Sequence, residues 1–92
     1  MTDILDELFA VIESRKADAP PGSYTVTLLA DLDEAAKKVG EEAIEVVLAA
    51  KGQSDARLVE EAADVIYHLL VLLAARDLTL DDVRAELARR RH

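Results

Sequence analysis

Glu41, Glu42 and Glu45 fall within five positions, and further along the chain Glu61 and Asp64 repeat the i, i+3 spacing of Glu42 and Glu45. Glutamates so placed either lie in water on a helix face, which is their ordinary fate, or converge on a shared charge. Convergence is costly, because carboxylates repel and each loses several kcal/mol of hydration unless a partner compensates. Few basic residues stand nearby, so a divalent ion is the most direct counter-charge, and an all-oxygen donor set suits Mg²⁺, with Mn²⁺ as a substitute. Zinc is disfavoured in a chain with no cysteine and 2 histidines. A di-iron carboxylate site would call for Glu-x-x-His, whereas Asp64 stands three residues after Glu61. Lys38 and Lys51 flank the first cluster and are candidates for contact with substrate phosphate. His68, one turn beyond Asp64, reads as a hydrogen-bonded helix histidine, and Tyr67 as a packing residue with a wet hydroxyl.

These carboxylates need helices to bring them together. Apolar residues recur at helical spacing in four stretches, and no segment of useful length has the period of a strand. Thr2 is the expected cap of a first helix carrying Leu5, Leu8, Phe9 and Ile12, which stops before Pro20-Pro21-Gly22. Ser23-Tyr24-Thr25 opens one or two helical turns through Leu29. Asp31 and Glu34 have capping-box spacing and start a long helix that Gly52 ends. Ser54 starts another, running to about Arg76, and Thr79 with Asp82 starts the last, which closes in Arg89-Arg90-Arg91. On the first long helix Glu34, Lys38, Glu41, Glu42 and Glu45 share roughly a third of the circumference. Val39, Ala43, Ile44, Val46, Val47, Leu48 and Ala50 occupy most of the rest, so that helix is expected to be buried on more than one side. On the second, Arg57, Glu61, Asp64 and His68 line up. An antiparallel pair joined by a short turn then sets Glu42 and Glu45 opposite Glu61 and Asp64. The expected architecture is all-α, two long antiparallel central helices with shorter flanking ones, in a single domain over residues 1–92.

The chain's totals narrow the partners. A hydrophobic share of 51% in 92 residues exceeds what so small an interior can hide, so completion by homodimerisation is expected. A net charge of −8 repels phosphate backbones, which argues against a nucleic-acid partner. A phosphorylated small molecule is admissible only with a cation between its charge and the carboxylates. The longest apolar run, Leu69 to Ala75, is far shorter than the ~20 residues of a membrane span, and the acidic N-terminus lacks a basic leader. A cytoplasmic protein with no membrane partner is the expectation.

The order SYT (23–25), KVGEEAIEVVLAAK (38–51), LVEEAADVIYHLLVLLAAR (58–76) and a closing LTLDDVRAELARR resembles the phosphoribosyl-ATP pyrophosphatase family of histidine biosynthesis. Glu41-Glu42-x-x-Glu45 followed by Glu61-x-x-Asp64 is similar to the wider signature of MazG-like all-α nucleotide pyrophosphohydrolases. The resemblance implies Mg²⁺-dependent hydrolysis of 1-(5-phosphoribosyl)-ATP to 1-(5-phosphoribosyl)-AMP and pyrophosphate, by a homodimer. It gives Glu42, Glu45, Glu61 and Asp64 metal-ligand roles and makes Glu41 a further ligand or an outer carboxylate. In the mechanism it suggests, Glu41 or Glu45 orients or deprotonates water, and Lys38, with Lys51 behind it, neutralises the leaving pyrophosphate. The cyclohydrolase that takes the product is expected to be a separate protein. Asp31 and Asp77 stand where glycine is frequent in the family, and aspartate can serve as a cap or adopt the left-handed conformation in its place. Two other readings compete: a house-cleaning hydrolase of free (deoxy)nucleoside triphosphates, and a non-catalytic helical dimerisation module whose acidic face is merely solvated.

Overall fold

The structure, a computed structural model, describes residues 2–91 and contains five helices: α1 (Ile4–Ala17), α2 (Tyr24–Leu29), α3 (Leu32–Gly52), α4 (Asp55–Ala75) and α5 (Leu80–Arg89). Each starts at a side chain that caps it by accepting the N–H three residues on: Asp3, Ser23, Asp31, Ser54 and Thr79 in turn. The first cap is Asp3 rather than the expected Thr2. Asp3 and Asp6 close a reciprocal box, each carboxylate accepting the other's backbone N–H at 3.0 and 3.1 Å, and Thr2 has no acid at the matching distance. Thr79 and Asp82 form the same box on α5. Asp31 makes only half of one: its own N–H is already given to the Leu28 carbonyl at 3.1 Å, because α2 runs almost directly into α3.

Among the described residues there are no strands, and no helix is long and apolar enough to cross a membrane. The two long helices are joined by the short turn at Gln53 and Ser54 and form the most extensive helix pair. α1 and α2 lie across α4, and the core sits where these elements meet: Ile12, Leu28, Ala35, Leu70, Val71 and Ala74 are buried, with Leu8, Phe9, Leu29, Tyr67, Leu72, Leu73 and Leu80 packed around them. Burying each larger aliphatic side chain contributes about 1.5–3 kcal/mol, so this small set anchors α3 and α4 against the shorter helices.

α4 ends in a Schellman motif. Leu78 N–H reaches the Leu73 carbonyl at 2.9 Å and Asp77 N–H reaches Ala74 at 3.0 Å, with Asp77 in the left-handed region at φ 58°. The Asp77 carboxylate meets Lys16 Nζ at 2.9 Å, tying that turn to the end of α1.

One expectation about α3 fails within a single chain. Ala35 and Ala49 are its only buried residues among those described, whereas Ile44, Val47 and Leu48 are 61%, 56% and 51% exposed. The reason is that α3 packs on α4 and α2 and nothing in this chain covers its outer side. Val59, Ile66 and Leu69 on α4 are likewise exposed.

Candidate metal centre between the two long helices

One oxygen from each of Glu42 on α3 and Glu61 and Asp64 on α4 lies within 4.8 Å of the others. The i, i+3 spacing puts Glu61 and Asp64 on one face of α4, and the hairpin lays Glu42 against them. Glu61 is buried, Glu42 half-buried and Asp64 exposed, so the group opens to solvent on one side. Oxygens on opposite sides of an octahedral Mg²⁺ are about 4.2 Å apart, so three carboxylates with oxygens within 4.8 Å of one another need only small side-chain shifts to share such an ion, and the open side leaves positions for water or phosphate. No thiolate or imidazole belongs to the group, which suits Mg²⁺ or Mn²⁺ better than a softer metal.

Glu45, the fourth carboxylate expected to converge, lies one turn further along α3, exposed and outside this trio. Glu41 is exposed on the same face. Lys38 Nζ stands 3.6 Å from Glu41 and 3.5 Å from Glu42, so it lies at the mouth of the group, and Lys51 is exposed in the last turn of α3. On α4 the guanidinium of Arg57 is divided: Nη1 holds Glu60 at 2.7 Å and Nη2 holds the buried Glu61. No buried side-chain nitrogen or oxygen among the described residues lacks a hydrogen-bond partner.

A second polar layer backs the carboxylates. His68 is buried, its Nδ1 is 2.7 Å from the Asp64 carbonyl and its Nε2 is 2.9 Å from the Tyr24 hydroxyl. A carbonyl only accepts, so Nδ1 carries the proton; in the neutral ring Nε2 is then the acceptor and Tyr24 donates to it. The next residue on α2 meets the preceding one on α4, Thr25 Oγ1 bonding the Tyr67 hydroxyl. That hydroxyl is therefore tied to the protein and not left to water as expected. Tyr24 and Tyr67 rings stack at 6.4 Å and both meet His68 edge-on. Partial burial, helped by the charges of Tyr67, Glu42 and Glu34 and opposed by Lys38, pushes the Tyr24 phenol above its usual range. Lys38 is raised as well, first by Tyr24 and then by Glu41 and Glu42. α2 is thus fastened beside the trio by two hydrogen bonds that link positions 42 and 44 apart in sequence, a separation at which no periodicity announces a pairing.

The chain matches the family model described as phosphoribosyl-ATP pyrophosphohydrolase over residues 5–91. Curated relatives called phosphoribosyl-ATP pyrophosphatase include one from Trichlorobacter lovleyi, 58% identical over 88 residues covering 95% of this chain and 82% of the relative. Others come from Haloarcula marismortui, 52% identical with 97% and 94% covered, and Metallosphaera sedula, 52% identical with 98% of each covered. With both its motifs and its helical hairpin inside the matched span, this chain belongs to the phosphoribosyl-ATP pyrophosphohydrolase family.

Proposed function

We propose that this chain hydrolyses 1-(5-phosphoribosyl)-ATP to 1-(5-phosphoribosyl)-AMP and pyrophosphate, the second step of histidine biosynthesis, using Mg²⁺ held by Glu42, Glu61 and Asp64. The observation that carries this reading is the meeting of those three carboxylates across the α3–α4 hairpin in a chain of this family. Glu45, one turn from Glu42 on α3, would be a fourth ligand.

A divalent ion held by Glu42, Glu61 and Asp64 would neutralise phosphate charge and make the attacked phosphorus more electrophilic. The protein supplies position and proton handling. Water attacks the α phosphorus, the bond to the bridging oxygen breaks, and pyrophosphate leaves. Glu41, exposed beside the trio, takes the water's proton. Lys38, already at the mouth of the group, turns toward the departing pyrophosphate, with Lys51 as an outer contact. The Tyr24–His68 hydrogen bond keeps α2 in place against this edge.

The apolar side chains left in water on α3 and α4 fit a second copy of the chain, since a monomer rarely exposes so many on its central helices. The test of substrate is pyrophosphate release from phosphoribosyl-ATP and from ordinary nucleoside triphosphates, each with Mg²⁺ and with chelator. Release confined to phosphoribosyl-ATP and Mg²⁺ is the expected result; release from the general triphosphates instead would move the chain to the house-cleaning class.

A further inference from the structure

The trio's charge is offset in the structure by two side chains, each one helical turn ahead of its partner: Lys38 on Glu42 and Arg57 on Glu61. The order of these pairs is unusual for this chain. Every other intrahelical ion pair among the described residues puts the acid first: Glu13 before Lys16, Glu34 before Lys37, Asp81 before Arg84, and Glu86 before both Arg89 and Arg90. Acid-first pairs agree with the helix dipole and stabilise an isolated helix better than the reverse. Only Lys38 and Arg57 precede their carboxylates, reaching Glu41 and Glu42, and Glu60 and Glu61. Arg57 is the more telling, because it is the third residue of α4, in the first turn, where the dipole disfavours a cation. Helix stability does not account for its place, whereas the charge of buried Glu61 does.

We propose that Arg57 is an exchangeable counter-ion of the metal centre: it neutralises Glu61 when no cation is bound and releases that carboxylate when one binds. This rests on the reading that the trio holds a divalent ion. The guanidinium is built for the exchange, since Nη1 keeps its hold on exposed Glu60 at 2.7 Å while Nη2 alone changes partner. Arg57 itself is about half exposed and Glu61 is not, so Nη2 can turn to water while the carboxylate stays where the ion needs it. Arg57 therefore competes with the metal, and its removal should tighten metal binding. A side chain that merely supported the site would have the opposite effect when removed.

The test is calorimetric titration of Mn²⁺ into the wild-type protein, Arg57→Gln, Arg57→Lys, Glu61→Gln and, as a surface control, Arg89→Gln, with melting curves in chelator and in Mn²⁺. Arg57→Gln should bind Mn²⁺ about two- to fivefold more tightly, the scale of a half-exposed charge pair. It should also melt below wild type in chelator, by a gap that narrows as Mn²⁺ is added. Arg57→Lys, which keeps the charge, should stay near the wild-type affinity, as should Arg89→Gln. Unchanged or weaker binding in Arg57→Gln, with binding lost in Glu61→Gln, would overturn the counter-ion role and leave the metal centre standing. Tightening in Arg57→Lys equal to that in Arg57→Gln would overturn it too, since charge would not be the cause. Binding that survives Glu61→Gln unchanged would overturn the metal centre and the counter-ion together.

Discussion

At the scale of single residues, the site is a contest over negative charge. Buried Glu61 stands beside two other carboxylates with Arg57 bonded to it, and Lys38 stands against Glu42 in the same way. Glu42→Gln should therefore abolish most metal-induced stabilisation while leaving the metal-free protein folded, a difference read from melting curves with and without Mg²⁺. Equal stabilisation of variant and wild type would remove Glu42 from the ligand set. Behind the carboxylates, Tyr24→Phe strips His68 Nε2 of its donor; water can reach the half-exposed position, so the cost should be about 1 kcal/mol in urea denaturation. The meeting of Glu42, Glu61 and Asp64 was legible from spacing alone, because a helix makes i and i+3 neighbours whatever surrounds them, but the same spacing also placed Glu45 in the group, and it lies outside. Tyr24, Thr25 and Arg57 were not. The first two act through partners on a distant helix, and helical spacing set Arg57 in line with Glu61 and Asp64 without giving it a role, which came only from its order relative to Glu61.

At the scale of elements, the ends of helices carried most of what the sequence could say. Ser23, Ser54 and Thr79 cap where polar residues of short side chain precede apolar periodicity, and Asp77 takes the left-handed turn that glycine usually fills. Thr2 lost to Asp3 because a reciprocal box with Asp6 satisfies two backbone donors and a lone cap satisfies one. The same Asp6 reaches across to α5, where Arg84 donates to it at 2.7 and 3.2 Å. The Arg84 hydrogen bond, with the Asp3 backbone N–H next, lowers the Asp6 carboxyl to about 2 from 3.8. A depressed acid contributes stability above its unfolded value and loses it as pH falls through the folded one. The α1–α5 tie should thus weaken between about pH 4 and pH 2. Arg84→Gln, which leaves the capping box intact, should show a shallower fall of melting temperature over that window than wild type; parallel curves would show that the contact contributes nothing.

At the scale of the whole molecule, a chain with 51% hydrophobic residues cannot hide them all, and α3 shows where the excess goes. The prediction that α3 is buried on several sides came from its composition, which reports every surface the helix will meet, including any supplied by another chain. One chain covers only part of it. A charge at Ile44, which is 61% exposed here, should leave the single chain's fold intact. In a pair of copies it would have to be desolvated. Ile44→Asp should accordingly weaken self-association by at least about 100-fold, as measured by sedimentation at graded concentrations. A variant that sediments like wild type would place the contact elsewhere. The hairpin brings Glu42, Glu61 and Asp64 together within one chain, and the proposed chemistry rests on that meeting. The most direct measurement is the rate of Mg²⁺-dependent pyrophosphate release from phosphoribosyl-ATP by Glu61→Gln and wild type at equal folded concentration. Loss of one preorganised charged group predicts a rate lower by ~10²-fold or more, whereas a variant within a few-fold of wild type would mean that the acidic face between α3 and α4 is not where the phosphoanhydride is broken.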